Sequence, residues 1–256
     1  MNERVKDIVW SLASFAVILL AWEIGVRLFH VPSYVLPGPL LVLQSMAENW
    51  RTLGLHALWT TAAISAGFAT AALVAVPLAM LIVVSPILQR LLYPPMIATQ
   101  AIPKIALAPL FVVWFGFGFM PKVAVAFLIA FFPVVIDTIV GLRSIDPGMI
   151  QLARSMGAPP QRVFLKLRLP NALPMVFSGL KVASALAVVG ALTGEFVGSD
   201  KGLGYLLVQA SGNLNTALLF ASLVILSMLA MIFFYIVEIL ERIWIPWHVS
   251  QRARVH

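Results

Sequence analysis

Six stretches of about 20 or more mainly apolar residues govern what this chain can become, at about 8–29, 59–84, 92–115, 122–142, 172–194 and 217–240. A helix rises about 1.5 Å per residue, so about 20 such residues match the hydrocarbon thickness of a bilayer. Inside lipid the backbone must satisfy its own hydrogen bonds, and a helix does so within a single segment. The chain therefore reads as all-α and polytopic, with six transmembrane helices in a single transmembrane domain over residues 1–256. Composition agrees: 61% of residues are hydrophobic and 11% charged, the mean hydropathy is +1.00, and soluble domains carry roughly 25% charged residues.

Charge sets the orientation. Lys and Arg favour the cytoplasmic side in short loops. With the amino terminus inside, eleven basic residues fall there (Arg4, Lys6, Arg90, Arg143, Arg154, Arg162, Lys166, Arg168, Arg242, Arg252 and Arg254), against four outside (Arg27, Arg51, Lys122 and Lys201). Both termini are then cytoplasmic. The net charge of +7 follows from this topology and from anionic headgroups, which removes the reason to expect nucleic-acid binding. The first apolar run follows a basic start but is too long for a signal peptide and lacks a small-x-small site before Pro32, so it reads as a retained helix. Near its outer end Glu23 and Arg27 stand one turn apart, as an ion pair would. An interfacial helix suits Leu40 to Trp50.

Between the fourth and fifth spans lies a polar, basic interruption running from about 146 to 170. Gly157 breaks it, supplying a backbone freedom other residues lack, and Pro159-Pro160 favours the first turn of a new helix. Two short helices outside the lipid are expected, the second with Val163, Phe164 and Leu167 on an apolar face and Arg162, Lys166 and Arg168 interleaved. Such an elbow is built to dock.

Gln151, Leu152 and Ala153, then Gly157, then Leu167, Leu169 and Pro170 fall at the spacing of the signature loop of bacterial ABC importer permeases: Glu-Ala-Ala, three residues, Gly, nine residues, Ile-x-Leu-Pro. The chain resembles that family over roughly residues 60 to 240. Gln151 stands where Glu is usual and Leu152 where Ala is usual. Ala101 to Gly118, AIPKIALAPLFVVWFGFG, narrows the resemblance to the nitrate, sulfonate and taurine branch, which also holds permeases for pyrimidine- and riboflavin-type solutes. The resemblance implies a Type I permease fold with a coupling helix between spans four and five. It also implies the bacterial inner membrane, two permease copies as a homodimer, two ATPase subunits that bind ATP and Mg, and a periplasmic or lipid-anchored solute-binding protein. On that reading Gln151, Ala153, Arg154, Met156 and Gly157 form the ATPase-coupling helix, and Leu167, Leu169 and Pro170 fix its junction to the fifth span.

The third span contains Pro94, Pro95, Pro103 and Pro109 together with Lys104. Broken helices are tolerated at membrane depth where they face protein or a cavity, so this span is the first candidate for pathway lining. An ionisable residue inside a span costs about 2.5–3.5 kcal/mol. Lys104, Lys181 and Glu195 are the pathway or gate candidates. Lys181 lies roughly 16 Å beyond Pro170, where it either snorkels inward or lines a vestibule. Glu195 is expected at the outer end of its span as a solvated carboxylate, opening a Gly-rich outer loop from Gly194 to Gly204. Asp137 is expected to pair with Arg143 or with a neighbouring helix.

The chain has no Cys, which excludes thiolate metal sites and cysteine chemistry, and its four His are scattered at 30, 56, 248 and 256. No His-Glu-x-x-His, Gly-x-Ser-x-Gly or Gly-x-x-x-x-Gly-Lys-Ser/Thr motif occurs. No metal or cofactor is expected in the chain itself, and it is expected not to be an enzyme: its energy must come from a partner. The alternative is a stand-alone secondary carrier or channel, which often shows internal repeats; none is visible here. Substrate identity stays open.

Overall fold

A computed structural model describes residues 3–246, with the side chains of residues 3–8, 11 and 12 outside that description. The expectations for His248, Arg252, Arg254 and His256 lie outside the described residues, and those for the side chains of Arg4 and Lys6 outside the described side chains. Every described element is helical: α1 (Glu3–Leu28), α2 (Pro39–Glu48), α3 (Trp50–Val84), α4 (Pro86–Thr99), a 3-10 turn (Lys104–Leu107), α5 (Ala108–Phe115), α6 (Phe119–Arg143), α7 (Pro147–Ser155), α8 (Pro160–Val163), a π turn (Phe164–Arg168), α9 (Leu169–Gly198), α10 (Leu203–Gly212) and α11 (Thr216–Trp244).

Among the described residues, helices α3, α6, α9 and α11 are each long and apolar enough to cross a membrane, and α4 with the Lys104–Phe115 segment passes the same test as a pair bent by 91° at its break, a broken span or a re-entrant loop. These fall where the second to sixth spans are expected, and α1 covers the stretch expected for the first. The bend sits where Pro103 removes a backbone donor and the chain changes direction before Lys104. The centre of the bundle is an antiparallel pair, α6 and α9, with α3 on α6. Small residues let these backbones approach. A Cβ on Gly194 would stand 2.6 Å from Cα of Lys122, one on Gly190 2.6 Å from Cα of Ala126, and one on Gly67 2.4 Å from Cβ of Ala126. Dispersion between close backbones replaces the missing hydrophobic force between helices in lipid.

Three boundaries depart from expectation. α3 begins at Trp50, nine residues before the apolar run, because a helix can continue through the interface beyond the hydrocarbon. The flat interfacial helix is shorter, Pro39–Glu48, and is seated by Glu23, whose carboxylate accepts from the Leu40 N–H at 3.2 Å while holding Arg27 at 2.6 Å. The Gly-rich stretch after the fifth span is largely helix: α9 runs on to Gly198 and α10 starts at Leu203, leaving Ser199 to Gly202 as the loop. α10 forms because Leu203, Leu206, Leu207 and Ala210 recur at helical spacing and are all buried.

Candidate functional site

At the end of the bundle where α6 stops, α7 projects away from the spans. Asp146 caps its first turn, accepting from the Gly148 N–H at 2.8 Å, with Pro147 at the first helical position. Its far end is closed by paired bonds, Ala158 N–H to Ala153 O at 3.0 Å and Gly157 N–H to Arg154 O at 2.9 Å, with Gly157 at φ +77°. This is the helix stop that needs a left-handed residue, and it accounts for Gly157. Between the caps Met149, Leu152 and Met156 recur at helical spacing and are 52%, 63% and 79% exposed. A two-turn helix held by both caps thus presents an apolar stripe outside the bundle.

The second limb of the elbow differs from expectation. Instead of a separate short helix, α8 passes through the π turn into α9 as one continuous helix of 39 residues. Pro170 has no N–H and its ring would strike the carbonyl four residues back, so the ladder widens and the Leu169 N–H reaches Phe164 O. Val163 is buried, and Phe164, Leu169 and Val83 all pack against the buried cluster of Leu142, Ala172 and Val176, fixing the elbow beside the C-terminal ends of α3 and α6. Gln151, Arg154, Met156 and Gly157 are exposed, Ala153 half-buried, and Leu167, Leu169 and Pro170 half-buried at the junction. Arg154 and Arg168 share a cavity of about 520 Å³ with Val83, Val84 and Phe164. The part of the surface that sequence reasoning passed over is Met149 and Leu152; their spacing with Met156 was the available signal.

The three charges expected along the pathway do not meet. Lys181 Nζ pairs with Glu241 Oε2 at 2.7 Å, across α9 and α11, and Glu241 is 3% exposed. Glu195 is not solvated; it is 1% exposed. Its oxygens accept from Thr60 Oγ1 at 2.8 and 3.0 Å and from the Gly204 N–H at 2.7 Å, with Lys122 Nζ 3.9 Å away. Lys122 also donates to the Lys201 carbonyl. Thr60 Oγ1 accepts from the Leu203 N–H at 2.8 Å, and His56 Nδ1 accepts from the Gly202 N–H at 3.0 Å. Glu195 is thus the centre of a buried knot that ties the Ser199–Gly202 loop and α10 onto α3, α6 and α9.

Lys104, at the bend of the third crossing, lies 4.6 Å from the centre of the Phe132 ring. It lines a cavity of about 490 Å³ with Gln100, Phe132, Ile136, Asp137 and Leu186, where α4 and the 3-10 turn face α6 and α9. Asp137 does not pair with Arg143. Six residues along a helix place two side chains on different faces, and the Arg143 guanidinium lies instead 5.6 Å from the Tyr93 ring.

Residues 71–246 match the family model described as "Binding-protein-dependent transport system inner membrane component". The formylaminopyrimidine transport permease protein ThiX of Halalkalibacterium halodurans is 36% identical over 93% of this chain and 95% of its own. The riboflavin transport system permease protein RibX of Chloroflexus aurantiacus is 40% identical over 91% of this chain and 88% of its own. Among solved structures, an inward-facing conformation of the MetNI methionine ABC transporter matches with a TM-score of 0.58 over 81% of this chain and 97% of that one, at 23% identity, a likeness of fold. The chain belongs to the ABC transporter permeases, the inner-membrane components of binding-protein-dependent transport systems.

Proposed function

We propose that this permease is half of a homodimeric importer whose elbow, residues 146–170, is gripped from the cytoplasm by a separate ATPase subunit, one per permease copy. The observation that carries this reading is the exposed stripe of Met149, Leu152 and Met156 on a helix capped at both ends. A helix with an apolar face outside the bundle calls for a groove to receive it, and Arg154 and Arg168 beside it suit acidic groups on the same partner. ATP and Mg sit in that partner, since this chain has no phosphate-cradling loop. A solute-binding protein delivers cargo at the opposite face, near the Glu195 knot. Closure of the ATPases draws the two elbows together, and the continuous helix from Pro160 to Gly198 carries that motion to the outer loop without a hinge. Both termini lie in the cytoplasm, and residues 1–256 act as one transport unit. The relatives' names, formylaminopyrimidine and riboflavin, point to a small nitrogen heterocycle as cargo.

Co-purification of the ATPase from native membranes tests the docking. Leu152→Asp, which places a charge on the stripe without touching either cap, and Met156→Asp at the C-cap position are each expected to cut ATPase recovery at least tenfold while permease levels hold. Full recovery of the ATPase with both variants would rule out this surface as the grip.

A further inference from the structure

Among the described residues the ion pairs join Glu23 to Arg27, Glu195 to Lys122, Glu241 to Lys181 and Glu238 to Arg242. Asp137 takes part in none of them, and it makes no hydrogen bond within the described chain. It lies six residues before the inner end of α6, about 9 Å into the span. Across the same cavity Lys104 has an aromatic face beneath it and no carboxylate partner. Each intramembrane charge carries an insertion cost of about 2.5–3.5 kcal/mol. The chain keeps two of opposite sign in one cavity and does not join them.

That arrangement discriminates between solutes. A plain anion drawn to Lys104 meets the Asp137 carboxylate, and a plain cation drawn to Asp137 meets the Lys104 ammonium. A molecule that carries both kinds of group satisfies both walls. Phe132, Ile136 and Leu186 leave room between them for an apolar body, and a volume of about 490 Å³ lies within the roughly 300–1,000 Å³ of small-molecule sites. We propose that this cavity is a solute subsite of the membrane pathway for a small amphoteric organic molecule. Its anionic or electron-rich group faces Lys104, its protonated or N–H-bearing group faces Asp137, and its apolar body lies against Phe132. The proposal rests on the reading of this chain as the pathway-forming subunit of an importer.

Three probes with one benzene body separate the charges: p-aminomethylbenzoate carries both, p-toluate only the anion, benzylamine only the cation. Equilibrium binding is measured on the permease–ATPase complex in nanodiscs, and again on the permease alone. The expected result is at least tenfold tighter binding of p-aminomethylbenzoate than of either single-charge probe, about 1.4 kcal/mol per contact. Asp137→Asn is expected to erase the margin over p-toluate and keep the margin over benzylamine; Lys104→Gln does the reverse. A misfolded variant cannot retain one margin and lose the other. The proposal is overturned if the native chain shows no margin, if both margins survive either substitution, or if both vanish together. A combined Lys104→Asp and Asp137→Lys chain that restores transport of the native cargo would instead make the two residues a gate. If the ATPase fails to co-purify while the margins hold, the coupling reading falls and the subsite stands.

Discussion

Lys122 and Glu195 face each other inside the bundle with 3.9 Å between Nζ and Oε1, at 2% and 1% exposure. The separation is longer than a hydrogen bond, because the carboxylate spends its close contacts on Thr60 and Gly204 and the ammonium spends one on the Lys201 carbonyl. The pair works as the charge-neutral centre of a network whose arms are backbone groups of the outer loop.

Removing one charge leaves the other buried without compensation, which costs about 3–5 kcal/mol where it has been measured for buried pairs. Glu195→Gln retains hydrogen-bonding capacity towards Thr60 and Gly204 but isolates Lys122. A clear fall in thermal stability in detergent is expected for Glu195→Gln alone. Adding Lys122→Met should recover part of the loss, and the double-mutant cycle gives the coupling energy. Equal stability of the native chain and the single variant would remove the pair from any structural role.

Gly202 closes the same knot. It has φ +119°, and a Cβ there would fall 2.1 Å from Glu195 Oε1. Gly202→Ala therefore has to expel the carboxylate or lift the loop, and both outcomes loosen the backbone beside the exposed Lys201. Trypsin cleavage after Lys201 is expected to accelerate several-fold relative to the native chain. Unchanged cleavage would mean that the loop is not held by this contact.

What the sequence made legible divides along the distance over which residues interact. The spans, the break at Pro103 and the stop at Gly157 are local events written in hydropathy, missing donors and backbone freedom. Glu195 was misjudged because Thr60 lies 135 residues away, and nothing near Glu195 in the chain announces that a hydroxyl and a lysine will cover it. The partner of Lys181 was illegible for the same reason, since Glu241 is 60 residues distant. The helix from Leu203 was hidden because the glycines around it read as turn signals, whereas Gly204 is there to let α10 approach Glu195: a Cβ would meet the Glu195 Cβ at 2.7 Å. Asp137 was visible as an intramembrane charge, but only the bend of the neighbouring crossing brings Lys104 to it.

The α6–α9 contact depends on bare backbone. Gly190→Ala puts a Cβ 2.6 Å from Cα of Ala126, and two backbones cannot yield as a flexible side chain does. Overpacking of this kind costs typically about 1–3 kcal/mol. A lowered melting temperature in detergent is expected for Gly190→Ala, with Gly25→Ala as the comparison, since a Cβ at Gly25 meets nothing within 4 Å. If the two variants melt alike, the close approach of these helices is not limiting.

The π turn at Phe164–Arg168 sets how the elbow is rotated relative to the long helix that follows. Pro170 lacks a donor, so Pro170→Ala restores an N–H able to reach the Lys166 carbonyl and allows the wide turn to close to α geometry. Taking one residue out of register turns everything before it by about 100°, which would swing Met149, Leu152 and Met156 off their present bearing while leaving both caps of α7 intact. The chain has no Cys, so spin labels can be placed singly at Leu152 and at Ile87, exposed at the start of α4. The distance between them is expected to shift by several ångström in Pro170→Ala. ATP hydrolysis by the assembled transporter should then persist while solute uptake per ATP falls. A shifted distance with normal coupling would separate the bearing of the elbow from its function, and an unshifted distance would show that packing of Phe164 and Leu169 against Leu142 and Ala172, rather than the missing donor, holds the wide turn open.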